Sequence, residues 1–208
     1  MKRIAVLVSG GGTNLQALID AQQRGELGGG QIVAVISSKA GAYALERAAK
    51  AGISGYVLPR KDFDSNKAMT VALVELLRKL DIQLVVLAGC MVIFTEELVN
   101  AYPNAIMNVH PALIPSFCGP GYYGLRVHEE ALRYGVKLSG ATVHFVSEEC
   151  DGGPIIAQRA VEVRPDDTPE VLQKRIMEQA EWKLLPEAVR LFCEDRITVE
   201  GRTVVIKK

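Results

Sequence analysis

Several features of specialised proteins are missing from this sequence. Lys and Arg together number 24, as do Asp and Glu, so neither charge is in excess. A nucleic-acid or membrane-surface partner would favour a basic excess or a basic stripe. No apolar run reaches the roughly 20 residues of a membrane span, and the apolar run at residues 4–8 is too short for the core of a signal peptide. We therefore expect a cytoplasmic protein with no nucleic-acid and no membrane partner.

Residues that hold metals or form covalent intermediates are few and poorly spaced for those tasks. The four cysteines, at positions 90, 118, 150 and 193, include no C-x-x-C pair, which favours reduced thiols over a zinc or redox motif. The three histidines lack metal-ligand spacing, and neither H-E-x-x-H nor a Ser-His-Asp or Cys-His arrangement is evident. We expect no metal and no covalent catalysis.

The first half of the chain alternates apolar strands with helical patterns. Strands are predicted at 4–8, 32–36, 57–58, 82–87 and 105–109, and helices near 14–24, 43–51, 65–80 and 96–101. This order predicts an α/β fold with a doubly wound, mostly parallel sheet flanked by helices. The second half predicts a loop at 111–124, a helix near 127–134, strands at 141–146 and 155–163, a long helix at 169–193 and a final hairpin turning at Glu200 and Gly201. No linker or repeat divides the chain, so residues 1–208 are expected to form one domain.

A glycine turn, Ser9-Gly10-Gly11-Gly12-Thr13-Asn14, joins the first strand to the first helix. It matches neither the dinucleotide fingerprint G-x-G-x-x-G nor the Walker loop. Glycines allow close approach of a ligand, and the N–H groups at a helix start attract anions. A single phosphate group therefore suits this turn, although one glycine would also serve an ordinary tight turn.

Two further stretches carry polar groups suited to acyl chemistry. Asn108 and His110 are two apart at the end of an apolar strand and point to the same side, where an amide and an imidazole can hold a developing oxyanion. Asp151 lies in a glycine-rich bend and can manage a proton. Each stretch also has a purely structural interpretation. Asn108 could cap the backbone at the strand end beside a hydrogen-bonded His110, and Asp151 could belong to an ordinary Asp-Gly turn. His144 lies either in the core or at the site, and His128 is expected on a helix surface.

Together these stretches resemble the glycinamide ribonucleotide formyltransferases of purine biosynthesis. The resemblance is carried in order by SGGGTNLQALIDA, LAGCM at 87–91, NVHPALIPSF at 108–117 and TVHFVSEECDGGPIIAQ at 142–158. It implies a Rossmann-like formyltransferase fold, with the phosphate site in the first half and the catalytic loop and folate site in the second. It also implies formyl transfer from 10-formyltetrahydrofolate, as co-substrate, to the amine of glycinamide ribonucleotide.

The resemblance also assigns roles to residues. Asn108, His110 and Asp151 would be the catalytic trio, with His110 protonated to stabilise the oxyanion. The ribonucleotide would be bound by Gly11, Gly12, Thr13, Asn14, Pro111 and Glu181, the last on its ribose hydroxyls. The folate would contact Met91, Val92, Ile93, Lys67, His144, Ser147, Glu148, Glu149 and Cys150.

The sequence departs from this family at three places. After LAG the family usually has Phe or Tyr, Met and Arg, whereas Cys90, Met91 and Val92 stand here, so an arginine for the folate's glutamate tail is missing. After FDS an arginine is common, and Asn66 and Lys67 replace it, so Lys67 could supply the anionic contact as a point charge. The loop at 116–126 is several residues longer than usual.

Other functions are weighed against this one. A 10-formyltetrahydrofolate hydrolase or another formyl-folate transferase is the nearest alternative, but such proteins carry additional modules that this chain length does not accommodate. A non-catalytic nucleotide-binding module would need the turn but not the Asn, His and Asp set. An NAD-dependent dehydrogenase would carry an acidic residue after the second strand, where the sequence reads Ile-Ser-Ser-Lys at 36–39. The sequence is compatible with a monomer or a homodimer.

Overall fold

The computed structural model describes residues 1–207, and Lys208 lies outside the described residues. Its strands are β1 (Lys2–Val8), β2 (Gly30–Ser37), β3 (Ser54–Val57), β4 (Leu84–Leu87), β5 (Ile106–His110), β6 (Leu138–Phe145), β7 (Ile155–Glu162), β8 (Ile197–Glu200) and β9 (Thr203–Ile206). Its α-helices are α1 (Thr13–Gln23), α2 (Tyr43–Lys50), α3 (Asn66–Lys79), α4 (Glu96–Ala101), α5 (Leu125–Tyr134), α6 (Pro169–Ile176) and α7 (Trp182–Cys193). A 3-10 turn covers Arg60–Asp62 and a π-helical segment covers Met177–Glu181.

All nine strands belong to one sheet, in the order β3-β2-β1-β4-β5-β6-β7-β9-β8. The first five strands pair in parallel, and β6 then joins β5 antiparallel. The antiparallel β6–β7 and β8–β9 pairs meet at a single parallel residue pair between β7 and β9. The predicted α/β fold with a mostly parallel sheet is confirmed.

The core lies on both faces of this sheet because successive strand residues point to opposite sides. In β1, Ile4, Val6 and Val8 join one buried cluster, and Ala5 and Leu7 join the other. Strand β4 divides in the same way. Burial on both faces explains why these strands read as unbroken apolar runs rather than as alternating patterns.

The segments with candidate functional residues lie at the carboxyl ends of the central strands. The carboxyl ends of β1, β4 and β5 lie side by side because these strands are parallel neighbours. The glycine turn after β1 therefore sits beside the segment at 88–95, and His110 at the end of β5 lies on the other side of that segment. Asn108 on β5 is paired directly with His144 on the antiparallel strand β6.

Most helix boundaries follow the predictions within a few residues, and the predicted cap of α3 is present. The Ser65 side chain accepts a hydrogen bond of 3.0 Å from the Ala68 N–H. The long helix predicted at 169–193 is wrong in one respect, because a π-helical segment interrupts it. Pro186 lies just after this segment inside α7 and has no N–H for the carbonyl four residues earlier, so regular helical bonding is weakened there.

The prediction for His128 is wrong. This histidine is fully buried rather than at a helix surface. Helix α5 buries a face formed by Val127, His128 and Ala131, and α5 packs against α6. Both ring nitrogens of His128 lie buried with no hydrogen-bond partner, and burial, followed by the nearby His110, lowers its pKa to about 4.

Candidate active site

The glycine turn leaves β1 and enters α1 through a left-handed residue. Gly12 has φ 71°, and a Cβ there would lie 2.7 Å from the Ala44 Cβ, so the packing of α2 demands glycine at this position. A Cβ at Gly10 or Gly11 would meet nothing within 4 Å. Packing therefore accounts for one of the three glycines, and the other two face open space through which a ligand can reach the backbone.

The start of α1 supplies donors for an anion. Gly12 offers its carbonyl to Gln16 N–H at 2.9 Å, but the first N–H groups of a helix have no partner within it. Thr13 is exposed at this end, and its hydroxyl lies 3.6 Å from the Met177 Sδ. The turn is thus bordered by the π-helical segment that ends at Glu181.

Glu181 is the buried acid of this region. Its Oε2 accepts a hydrogen bond of 2.6 Å from Asn14 Nδ2. Burial raises the pKa of Glu181 to about 7, although the bond from Asn14 acts in the opposite direction. Asn14 Oδ1 is also buried and has no hydrogen-bond partner. This pair places one acid and one free acceptor beside the glycine turn, both suited to hydroxyl donors.

The second group of polar side chains surrounds one carboxylate. Asp151 Oδ2 lies 3.6 Å from His110 Nδ1, and Asp151 Oδ1 lies 3.6 Å from His144 Nε2. Asn108 Nδ2 is 3.4 Å from Asp151 Oδ1 and 3.3 Å from His144 Nε2. The structure therefore brings together the three residues expected to be catalytic, and it adds His144 to them.

Backbone carbonyls decide which ring nitrogens carry hydrogen. His110 Nε2 lies 2.8 Å from the Phe117 carbonyl, and His144 Nδ1 lies 2.8 Å from the Phe145 carbonyl. Because a carbonyl can only accept, each of these nitrogens donates. The other ring nitrogens, His110 Nδ1 and His144 Nε2, face Asp151 and carry a hydrogen only when the ring is protonated. A protonated ring can donate a hydrogen bond to the carboxylate.

The local environment shifts the titration of this cluster. Burial lowers the pKa of His110 more than the Asp151 charge raises it. Burial thus opposes the charged form of His110, and the expected protonation of this residue stays a prediction. Burial raises the pKa of Asp151, but contacts from His144 and the Gly119 N–H and the histidine charges outweigh it, so this pKa falls below its usual value. Asp151 is an ionised acceptor there.

Two main-chain groups of the loop at 111–124 complete the site, and sequence reasoning missed both. The Phe117 carbonyl accepts from His110, and the Gly119 N–H donates to Asp151 Oδ2 at 2.9 Å. The Phe117 ring is 6.4 Å from the Tyr122 ring and 6.0 Å from the Tyr134 ring. The length of this loop relative to the expected family pattern was the available signal, but main-chain contacts leave no mark on residue identity.

Comparison with known proteins agrees with this geometry. The family model described as formyl transferase matches residues 2–189. The chain belongs to the formyl transferase family. It is 42% identical over 200 residues to a phosphoribosylglycinamide formyltransferase of Haemophilus influenzae, covering 96% of this chain and 91% of that protein. The resemblance stated from the sequence motifs is confirmed.

Solved structures of formyl transferases match over the whole chain. Glycinamide ribonucleotide transformylase 1 from Symbiobacterium toebii has a TM-score of 0.94 and 44% identity, covering 100% of this chain and 95% of that one. A formyltetrahydrofolate deformylase from Pseudomonas syringae has a TM-score of 0.88 and 29% identity, covering 100% of this chain and 66% of that one. The fold is shared by both kinds of protein, and the sequence is more similar to the first.

Most of the residues expected to bind folate lie in two segments of this formyl transferase. Ser147, Glu148 and Glu149 line an open groove of about 470 Å³ together with Val99, Asn100, Pro103, Asn104, Val146 and Pro154. Cys150 is exposed beside them. Met91 and Ile93 are exposed after β4, and the Met91 N–H donates to the Ser9 hydroxyl at 2.9 Å. This bond ties the expected folate segment to the glycine turn.

Two expected folate contacts are placed elsewhere. The Lys67 ammonium pairs with Glu97 at 2.8 Å, at the contact of α3 with α4, and is not brought to the catalytic cluster. Val92, Cys90 and Phe94 line a small apolar pocket near the carboxyl ends of β1 and β2. Pro111 follows His110 directly and is half-buried. A folate tail would have to compete with Glu97 for Lys67.

Over residues 1–207 no three His, Cys, Asp or Glu side chains are grouped so that they could hold a metal ion. Within the same range, no helix has the length and apolar character required to cross a membrane.

Proposed function

We propose that this chain transfers the formyl group of 10-formyltetrahydrofolate to the amine of glycinamide ribonucleotide, with Asn108, His110 and Asp151 as its catalytic residues. The observation that carries the proposal is the Asp151 carboxylate, which lies 3.6 Å from both His110 and His144. The named relatives support the same reaction.

The ribonucleotide lies across the glycine turn. Its 5′-phosphate accepts hydrogen bonds from the N–H groups of Gly12, Thr13 and Asn14. The start of α1 favours this because it has unpaired N–H donors and lies at the positive end of the helix dipole. Gly11 allows the phosphate close access, since no atom would contact a side chain at that position. Glu181, a buried acid next to the turn, accepts hydrogen bonds from the ribose hydroxyls. The substrate amine then points towards Asp151.

Formyl transfer is supported by the polar cluster. 10-formyltetrahydrofolate supplies the formyl group, which the ribonucleotide amine attacks. Asn108 donates to the formyl oxygen as negative charge develops on it, and its present contacts of 3.3 and 3.4 Å are long enough to be exchanged for that bond. Asp151 takes the amine proton and returns it to the folate nitrogen as the bond between that nitrogen and the formyl carbon breaks. His110, when protonated, stabilises the negative charge that develops on the formyl oxygen. His144 lies 3.6 Å from the Oδ1 atom of Asp151.

The groove lined by Ser147, Glu148 and Glu149 is the proposed folate site. Val99, Val146 and Pro154 give it an apolar wall for a flat ring, and Ser147 and Glu148 offer polar groups at its rim. Such a mixture of apolar lining and few polar groups is typical of small-molecule sites. Met91 and Ile93, which are exposed after β4, are proposed as further folate contacts together with Val92. Lys67 is the weakest of the proposed contacts because it already pairs with Glu97.

A formyltetrahydrofolate deformylase is the second candidate, because one such structure shares this fold with a TM-score of 0.88. Its 29% identity is lower than the 44% of the transformylase. The deciding experiment follows the absorbance change as 10-formyltetrahydrofolate loses its formyl group, with and without glycinamide ribonucleotide. Turnover that requires both substrates is expected. Loss of formyl without the ribonucleotide would reject the transferase in favour of the deformylase.

Domain organisation, location and assembly complete the proposal. Residues 1–208 form one formyltransferase domain, which is supported by the single sheet that runs from β1 to β9. The enzyme acts in the cytoplasm on small-molecule substrates. It is a monomer or a homodimer, and size-exclusion chromatography with light scattering distinguishes these two states.

A further inference from the structure

Helix α2 holds the back of the glycine turn through two carbonyl groups. The Ala44 N–H donates to the Gly10 carbonyl at 3.1 Å. The Arg47 Nε donates to the Gly11 carbonyl at 2.8 Å. Neither contact was indicated by the motif, since Arg47 lies 36 residues from Gly11.

Because of the geometry of the peptide bond, these two contacts fix the directions of the Gly11 and Gly12 N–H groups. In a trans peptide the C=O of one residue and the N–H of the next point in opposite directions. When Arg47 draws the Gly11 carbonyl towards α2, the Gly12 N–H must point away from α2. The same reasoning applies to Gly10 and the Gly11 N–H. Arg47 therefore sets the direction of a donor that the phosphate is proposed to use.

Arg47 is itself held in place. Its Nη1 donates to Gln16 Oε1 at 2.9 Å, and Gln16 Nε2 donates to Asp20 at 2.8 Å, which orients the Gln16 amide. The guanidinium also lies over the Tyr43 ring, 5.0 Å from its centroid. A fork that donates to two acceptors and stacks on a ring is a geometry that arginine provides and lysine does not.

We propose that Arg47 is a positioning residue for the phosphate of the ribonucleotide: it orients the Gly11–Gly12 peptide so that its N–H faces the anion. The inference depends on the proposed function, because it assumes that the turn binds the 5′-phosphate. Arg47 donates to protein groups rather than to the substrate, so it acts through the turn. Its positive charge behind the turn favours the anion as well.

The test compares two ligands on three variants. Glycinamide ribonucleotide and its dephosphorylated nucleoside are titrated against wild type, Arg47→Met, Arg47→Lys and Lys50→Met by calorimetry. Lys50 is the matched control because it also lies on α2 over the Tyr43 ring, at 5.5 Å, and no hydrogen bond joins it to the turn.

Arg47→Met is expected to lower the affinity for the ribonucleotide at least about tenfold, or about 1.4 kcal/mol. It should change the affinity for the nucleoside less than about twofold. Arg47→Lys keeps the charge but loses the fork, and it is expected to weaken the ribonucleotide at least about threefold. Lys50→Met should leave both affinities unchanged. Circular dichroism spectra establish that each variant is folded.

Three results would overturn the inference. Equal weakening of both ligands in Arg47→Met would mean that Arg47 only supports the local fold. Full affinity in Arg47→Lys would mean that charge, and not orientation, is sufficient. Equal affinity of wild type for the two ligands would reject the phosphate site itself, and with it the proposed substrate, so this failure is distinct from the other two.

Discussion

Replacing Glu181 with glutamine is expected to stabilise the protein at alkaline pH and to change its stability little at pH 5. Glu181 is 6% exposed, and burial raises its pKa from 4.5 to about 7, against the effect of the Asn14 bond. Between these two values the folded protein holds a proton that the unfolded chain has lost. Folding stability therefore falls as the pH rises from 4.5 to 7 and stays reduced above that.

The size of the effect follows from this shift. One pH unit corresponds to about 1.4 kcal/mol for one proton, so the ionised carboxylate costs the folded protein about 3 kcal/mol. Glutamine keeps an oxygen that can accept from Asn14 and cannot ionise. The stability gained by Glu181→Gln is expected to rise from under about 1 kcal/mol at pH 5 to about 3 kcal/mol at pH 8.5. Any cost of the amide itself does not depend on pH.

The assay is urea unfolding at several pH values, followed by circular dichroism and by the fluorescence of Trp182, the one tryptophan of the chain. Only the difference between variant and wild type is interpreted, because other groups titrate equally in both. Glu187→Gln, an exposed acid of α7, is the control and should show no pH-dependent gain. A constant difference between pH 5 and pH 8.5 would refute the reasoning. The same Glu181 variant should bind the ribonucleotide more weakly, since the carboxylate for the ribose is lost.

Three further predictions concern other parts of the site. Asp151→Asn should lower kcat at least about 100-fold while the ribonucleotide Kd changes little; near-normal turnover in the formyl-transfer assay would reject its proton role. Gly12→Ala should lower the free energy of unfolding by about 1–3 kcal/mol, because its φ is 71° and its Cβ would meet Ala44, whereas Gly11→Ala should stay within about 0.5 kcal/mol in urea unfolding. The stability gained by His128→Leu is expected to be about 2 kcal/mol larger at pH 5 than at pH 8, because this histidine has a pKa of about 4 when folded and 6.5 when unfolded, so acid lowers the stability of the wild type. Equal gains at the two pH values in urea unfolding would contradict this account.

The sequence predicted those parts of the fold that depend on local patterns of apolar and capping residues. Strands β1, β2 and β4 are continuous apolar runs, and the Ser65 cap is a side-chain signal. The π-helical segment at Met177–Glu181 could not be predicted in this way, because a single extra residue in a helical turn leaves the apolar pattern almost unchanged. The burial of His128 depends on the docking of α5 against α6, which is a tertiary event.

The candidate site shows the same division. Side chains that must have one identity, such as Asn108 and Asp151, were found from their motifs. The groups that orient them, the Phe117 carbonyl and the Gly119 N–H, are backbone atoms that almost any residue could supply. Glu181 was placed by resemblance alone, because no local pattern connects it with Asn14.

The hydrogen bond between Asn14 and Glu181 joins residues that are 167 positions apart, the first at the start of α1 and the second where the π-helical segment meets α7. During translation the glycine turn leaves the ribosome long before Glu181 has been synthesised. The proposed ribonucleotide site is therefore incomplete in any nascent chain that lacks its C-terminal third. A ligand that binds only the finished fold stabilises that fold by mass action. A ribonucleotide bound at the proposed site is expected to protect mature molecules against degradation, but not to assist the folding of incomplete ones.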